Sequence, residues 1–250
     1  MKEKIINVTG MMIVIIGLVF LSGGCEKDSS LSSDQNEIKD VAGTNITEPP
    51  CDGIVLANVA ITPEEEEMLV FVREEEKLAR DVYLMMYDQY NMQIFNKIAQ
   101  SEQTHMDQVL CLLVHYGIED PASSEIGVFN DPTLQNLYNE FIELGSSSKI
   151  NALVAGASIE DLDIRDLEVF IAQTTNENII NVFGNLCCGS RNHMRAFSGQ
   201  LAKRGVTYTP QYISQDYYDW IISTEKEDCG ENTRATYRHQ YRYEHNNGKG

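Results

Sequence analysis

Four stretches of the chain place apolar residues at alternating steps of three and four. The first runs Leu69, Val72, Glu76, Ala79, Tyr83, Met86, Tyr90, and the second Phe95, Ile98, Glu102, His105, Val109, Leu112, Tyr116. The third runs Ile150, Leu153, Ala157, Glu160, Ile164, Leu167, Ile171, and the fourth Ile179, Val182, Leu186, Ser190, His193, Phe197, Leu201. That spacing is one face of a helix and the seam of a helical bundle. Thr62-Pro63-Glu64-Glu65 supplies a capping box with proline in the first turn, and Gly117 and Gly205 stand as stops.

Short turns near Asn91 and near Thr175–Asn178 predict two antiparallel hairpins. Residues 118–148 are long enough to cross back along the bundle, with a short helix over Thr133–Leu144. The expected fold class is all-α: a four-helix bundle over residues 61–205 with a long crossover between its second and third helices. Residues 206–224 read as an extension in which Ser214 caps a short helix through Ile222, and 225–250 as a disordered polar tail.

The seams are interrupted by polar residues at their middles. These are Glu76 on the first helix, Glu102 and His105 on the second, Glu160 and Asp163 on the third, and His193 with Ser190 on the fourth. At 1.5 Å per residue the first-hairpin groups lie roughly 17–22 Å from their turn and those of the second roughly 20–26 Å from theirs. Six ligand-type side chains thus reach one level of the bundle. Buried unpaired carboxylates cost several kcal/mol each, so a compensating charge is expected. Four carboxylates balance two divalent cations, with neutral imidazoles completing the shells. Mixed carboxylate and imidazole donors suit two iron ions, or manganese, better than structural zinc. Glu74 and Glu75, by contrast, read as solvated surface charge, and Arg80 and Arg195 as surface residues or partners of outer carboxylates. Tyr83 reads equally as core packing or as a hydrogen-bond donor to a bridging carboxylate, and His115 as a helix-end charge.

The strings Arg73-Glu-Glu-Glu-Lys-Leu-Ala-Arg-Asp-Val-Tyr83, Ser101-Glu-Gln-Thr-His-Met106 and Gly189-Ser-Arg-Asn-His-Met-Arg-Ala-Phe197 resemble an uncharacterised ferritin-like family of bacteria and archaea, a domain of unknown function. Ile159–Leu167 is similar to its third helix, with Asp161 where the family more often has Glu, and Tyr208–Ser214 to the segment that follows the bundle. The resemblance spans about residues 61–223. More distantly, Glu76-x-x-Ala79-x-x-x-Tyr83 is similar to the first helix of rubrerythrin-type di-iron proteins. That similarity implies Glu76, Glu102, His105, Glu160 and His193 as metal ligands and Asp163 as a replacement carboxylate. Ser190 stands where rubrerythrins carry a Glu.

The rest of the chain bears on location. Lys2 and Lys4 precede an apolar run from Met11 to Leu21, too short for a membrane span and suited to a signal peptide over 1–24. Leu21-Ser22-Gly23-Gly24-Cys25 resembles a lipobox, making Cys25 a lipidation site and the membrane a partner. Residues 25–60 read as a flexible tether, so the expected location is extracytoplasmic, membrane-anchored or secreted. Cys51 and Cys229 flank the folded region as a candidate disulfide, while Cys111, Cys187 and Cys188 read as small buried apolar residues. A formal charge of −19 repels phosphate backbones and argues against nucleic acid as a partner.

Three functions stay open on these grounds. One is a di-iron oxidoreductase acting with oxygen or peroxide, fed by an electron-donor protein because the chain lacks a cysteine-ligated iron domain. The second is a metal-binding or storage protein without catalysis. The third is a metal-free interaction module, which would need another way to satisfy its buried charge.

Overall fold

The computed structural model describes residues 51 and 54–229. The expected signal peptide, Cys25, most of the tether and the tail from residue 230 lie outside the described residues. Within them are six helices and no strand: α1 (Pro63–Tyr90), α2 (Gln93–Tyr116), α3 (Pro132–Ser146), α4 (Lys149–Gln173), α5 (Glu177–Ala202) and α6 (Gln215–Ser223). None of the described helices is long and apolar enough to cross a membrane.

The helix ends are where side chains can close them. Thr62 accepts from the Glu65 backbone N–H, and the Glu65 carboxylate accepts from Thr62 N–H, closing a capping box at α1. Asp131, Ser148, Asn176 and Ser214 cap α3 to α6 through their side chains. Asn91 ends α1 at φ 50° and Gly117 ends α2 at φ 70°, left-handed conformations that Asn and Gly tolerate best.

Helix α1 packs along α2 and α4 along α5, giving two hairpins, and further contacts join α1 to α4 and α2 to α5. The start of α1 meets the end of α4, where Thr174 donates to Glu65 Oε1 at 2.5 Å. The other end of α1 meets the end of α3, just before α4 begins, where Tyr90 donates to the Gly145 carbonyl at 2.9 Å. Every seam residue named above is buried except Tyr90, Tyr116 and Ile150, all close to helix ends.

The crossover from α2 to α4 is anchored by α1. Arg73 donates twice to Asp120, at 2.9 and 2.7 Å, and Glu74 accepts from the backbone N–H groups of Asn130 and Asp131. Lys77, fully buried, donates to the carbonyls of Glu125 and Val128 and to Asp81, with its ammonium 4.4 Å from the Phe129 ring centroid. The expectation that Glu74 and Glu75 are solvated is therefore corrected: they are 2% and 3% exposed. The crossover and α3 cover the face of α1 that a plain four-helix bundle would leave to water. Arg80 reaches Asp81 and Gln103 instead of the polar centre. Asp161 accepts from Tyr208 Oη and from the backbone of Gln211, Tyr212 and Ile213, docking the segment after α5.

The cysteine pairing also differs from expectation. Cys51 bonds to Cys111 and Cys188 to Cys229, leaving Cys187 buried and free. The segment before α1 lies beside the C-terminal half of α2, where the Asn178 side chain on α5 also holds both backbone groups of Ala57. The chain after α6 comes back to α5, where Glu227 bonds Arg191 and Arg195. Each flanking cysteine therefore meets the helix it runs along, and residues 225–229 of the expected tail are fixed on α5. Of the adjacent pair on α5, Cys188 meets the returning chain and Cys187 belongs to the core.

Candidate metal centre

The polar residues at the middles of α1, α2, α4 and α5 converge. Glu76, Glu102, His105, Glu160, Asp163 and His193 are all buried, none more than 8% exposed. Five of them form two triads, Glu76–Glu102–His105 and Glu102–Glu160–His193, each with its ligand atoms within 4.8 Å of one another. Glu102 belongs to both. Its Oε2 lies 2.8 Å from His105 Nδ1 and its Oε1 lies 2.9 Å from His193 Nδ1. Glu76 Oε2 stands 3.0 Å from His105 Nδ1, and Glu160 Oε2 stands 3.4 Å from His193 Nδ1. The imidazole rings stack with centroids 5.5 Å apart. Both imidazoles thus present Nδ1 to the acids.

The opposite edge of each ring faces a small residue on the other helix. His193 Nε2 is 2.9 Å from Ser101 Oγ. His105 Nε2 lies against Gly189, where a Cβ would come within 2.4 Å of it. Sequence reasoning passed over Ser101 and gave Gly189 no role. Only proximity across the α2–α5 seam assigns them one.

Asp163 joins neither triad. Its Oδ2 accepts from the Ser190 hydroxyl, and its Oδ1 is buried without a hydrogen-bond partner. It sits close enough to Glu76, Glu160 and Glu102 for their charges, after burial itself, to raise its pKa well above the ordinary value. Tyr83 donates to Glu160 Oε1 at 2.5 Å and packs its ring against Phe95 and Phe197. Burial and the nearby Glu160 push the Tyr83 phenol up, so it stays a donor.

Whether these residues fit metal ions is decided by atoms that nothing else satisfies. Glu76 Oε1, Glu102 Oε1, Asp163 Oδ1 and His193 Nδ1 are buried with no hydrogen bond. His193 Nδ1 and Glu102 Oε1 approach to 2.9 Å, yet neither is aligned to hydrogen-bond the other. Without an ion the charges are neutralised by protons. Burial would lower both imidazoles, but Glu102 and Glu160 push His193 up to about 10, and Glu76 and Glu102 hold His105 well above its ordinary value. Burial carries Glu76 up to about 7 despite His105. Burial also favours a neutral Glu102, but the two imidazoles outweigh it and hold that carboxyl below its ordinary range. Cations could take over the role of these protons, and each triad could hold one.

A further buried acid lies beside the centre. Glu75 has no hydrogen-bond donor on either oxygen and faces the carboxyl of Asp166 on α4. Burial first, then the charges of Asp166 and Asp163, raises its pKa well above the usual value.

Residues 65–225 match the pattern of a family described as "Uncharacterized protein domain (DUF2202)". The chain is 54% identical over 168 residues to "Uncharacterized protein MJ0754" of Methanocaldococcus jannaschii, covering 67% of this chain and 91% of that one. The crystal structure of the hypothetical protein MJ0754 superposes with a TM-score of 0.68 at 53% identity, over 69% of this chain and 99% of that chain.

Proposed function

Since the chain belongs to the uncharacterised DUF2202 family, we propose a function from its own side chains: it is a ferritin-like protein that binds two metal ions, iron foremost with manganese as alternative, and acts with oxygen or peroxide. One observation carries this. Glu102 has one oxygen in each of two buried Glu/Glu/His triads, so one carboxylate would serve both ions.

The connectivity supports the ferritin-like assignment: two hairpins joined by one long crossover, with ligand-type residues on all four long helices. Glu76, His105 and Glu102 would hold one ion, and Glu160, His193 and Glu102 the other. Asp163 is the further carboxylate at hand where Ser190 offers none. Iron in these positions would supply electron transfer and Lewis acidity toward oxygen or peroxide. The chain itself orients His193 through Ser101, holds a proton on Tyr83 Oη against Glu160, and keeps bulk water off that side with Phe95 and Phe197.

Two disulfides suit an oxidising, extracytoplasmic compartment. The proposal extends to the N-terminus: a signal peptide over 1–24, lipid attachment at Cys25 and a tether carrying the bundle away from the membrane. Electrons would come from a separate donor protein.

Elemental analysis of natively purified protein and anaerobic titration with Fe(II) test the centre. Two ions per chain are expected, and Glu102→Gln with His105→Ala together should abolish both. Retention of two ions by that double variant would overturn the assignment. Consumption of oxygen or peroxide faster than by free Fe(II) supports the redox function, and parity with free Fe(II) leaves storage.

A further inference from the structure

Along α4, Glu160, Asp163 and Asp166 follow one another at steps of three residues, about one turn apart. Glu160 lies in the second triad, Asp163 beside both triads, and Asp166 at the rim, its side chain 14% exposed. Glu75 stands opposite them on α1, next in sequence to Glu76 and facing Asp166. Glu75 is near enough to Asp166, Asp163 and Glu76 to feel the charge of each, and Asp163 to feel Glu76 and Glu160, so the four acids run from the edge of the α1–α4 interface towards the centre.

Glu75 has no evident structural purpose. It is 3% exposed, and neither oxygen has a donor. Its neighbours Glu74 and Lys77 both hold the crossover, whereas Glu75 reaches only another acid, the Asp166 carboxyl. Asp163 Oδ1 is likewise buried without a donor. The outermost acid, Asp166, pairs with Arg165, whose Nε lies 2.8 Å from Asp166 Oδ1 and whose side chain is 40% exposed. A divalent cation entering a helical core loses water and needs oxygen ligands at each stage, because apolar side chains offer none.

We propose that Asp166, Glu75 and Asp163 form an entry route for divalent cations into the centre, with the Glu75–Asp166 pair as a transient binding station and Arg165 as the group that an arriving cation displaces. This rests on the metal-centre proposal above but assigns residues outside both triads. The ligand class is a hydrated divalent transition-metal ion, and the station exchanges its water for carboxylate oxygen one step at a time.

The test is stopped-flow loading of the metal-free full chain with Co(II) under anaerobic conditions, followed by Co(II) absorption, with stoichiometry measured at equilibrium by titration. Glu75→Gln and Asp166→Asn should still bind two ions at equilibrium but load at least tenfold more slowly, and Arg165→Ala should load faster. Circular dichroism checks folding, and the half-buried Asp166 position keeps the test available if Glu75→Gln fails to fold. Loading of Asp166→Asn at the wild-type rate would overturn the route. Loss of an ion at equilibrium in either variant would overturn it too, by making that residue a ligand of the centre. If the wild-type chain takes up no Co(II), Fe(II) or Mn(II), the centre itself falls and the route with it.

Discussion

Ser101 Oγ lies 2.9 Å from His193 Nε2, reaching from α2 to α5 across the centre. An Nε2–H donated to that hydroxyl leaves the Nδ1 lone pair facing Glu102 and Glu160, the tautomer a metal ion requires. Ser101→Ala should therefore leave the fold intact and weaken binding of one ion by about 10–100-fold. Isothermal titration of Mn(II) or Co(II) checks this, and unchanged affinity at both positions would remove Ser101 from the account.

Gly189→Ala should act on the other imidazole. The added methyl would come within 2.4 Å of His105 Nε2, on a ring already held between Glu76 and Glu102. Overpacking of this kind costs about 1–3 kcal/mol. A lower Tm of the metal-free protein and loss of one bound ion are expected together. If both stay at wild-type values, the ring has more room than the packing implies.

The metal-free protein should lose stability as pH rises from about 6 to 10. His193 is held up to about 10 against an ordinary 6.5, so its contribution is complete below 6.5 and lost as pH rises through 10. Glu76 is raised to about 7 from 4.5, so its contribution is complete below 4.5 and lost through 7. Both act in the same direction. Glu102 is lowered and acts oppositely, costing stability only as pH falls below its ordinary 4.5. Saturating metal should flatten the profile between 6 and 10, because the ions replace the departing protons. Scanning calorimetry with and without Mn(II) measures it, and a metal-free Tm that is constant or rising over that range contradicts it.

Lys77→Met should destabilise the chain without touching metal stoichiometry. It strips the buried Asp81 of its ammonium partner and frees the Glu125 and Val128 carbonyls of the crossover. Breaking a buried pair costs about 3–5 kcal/mol, a fall in Tm of about 10 °C for a domain of this size. Adding Asp81→Asn should recover part of the loss. A Tm unchanged by Lys77→Met would mean that the crossover is held by other means.

Much of this was legible along the chain because helices repeat. The steps of three and four placed the four long helices, Thr62 and Gly117 marked ends the structure keeps, and the shared depth of Glu76, Glu102, His105, Glu160 and His193 foretold their meeting. Glu74 and Glu75 misled because periodicity reports one buried face, while α1 is covered on a second by a crossover whose path no local pattern specifies. Cysteine partners were hidden for the same reason: which helix a flanking segment runs along is decided by tertiary packing. Ser101 is an ordinary serine in sequence, and only the approach of α5 to α2 gives it a task.

With one oxygen toward each imidazole, Glu102 ties the two halves of the centre into a single thermodynamic unit. An ion held against Oε2 would fix the torsion that aims Oε1, so the first arrival would help to position the second, and by reciprocity the departure of either would loosen the other. The affinities of the two positions should therefore be linked, and a variant that weakens one should weaken the other in part.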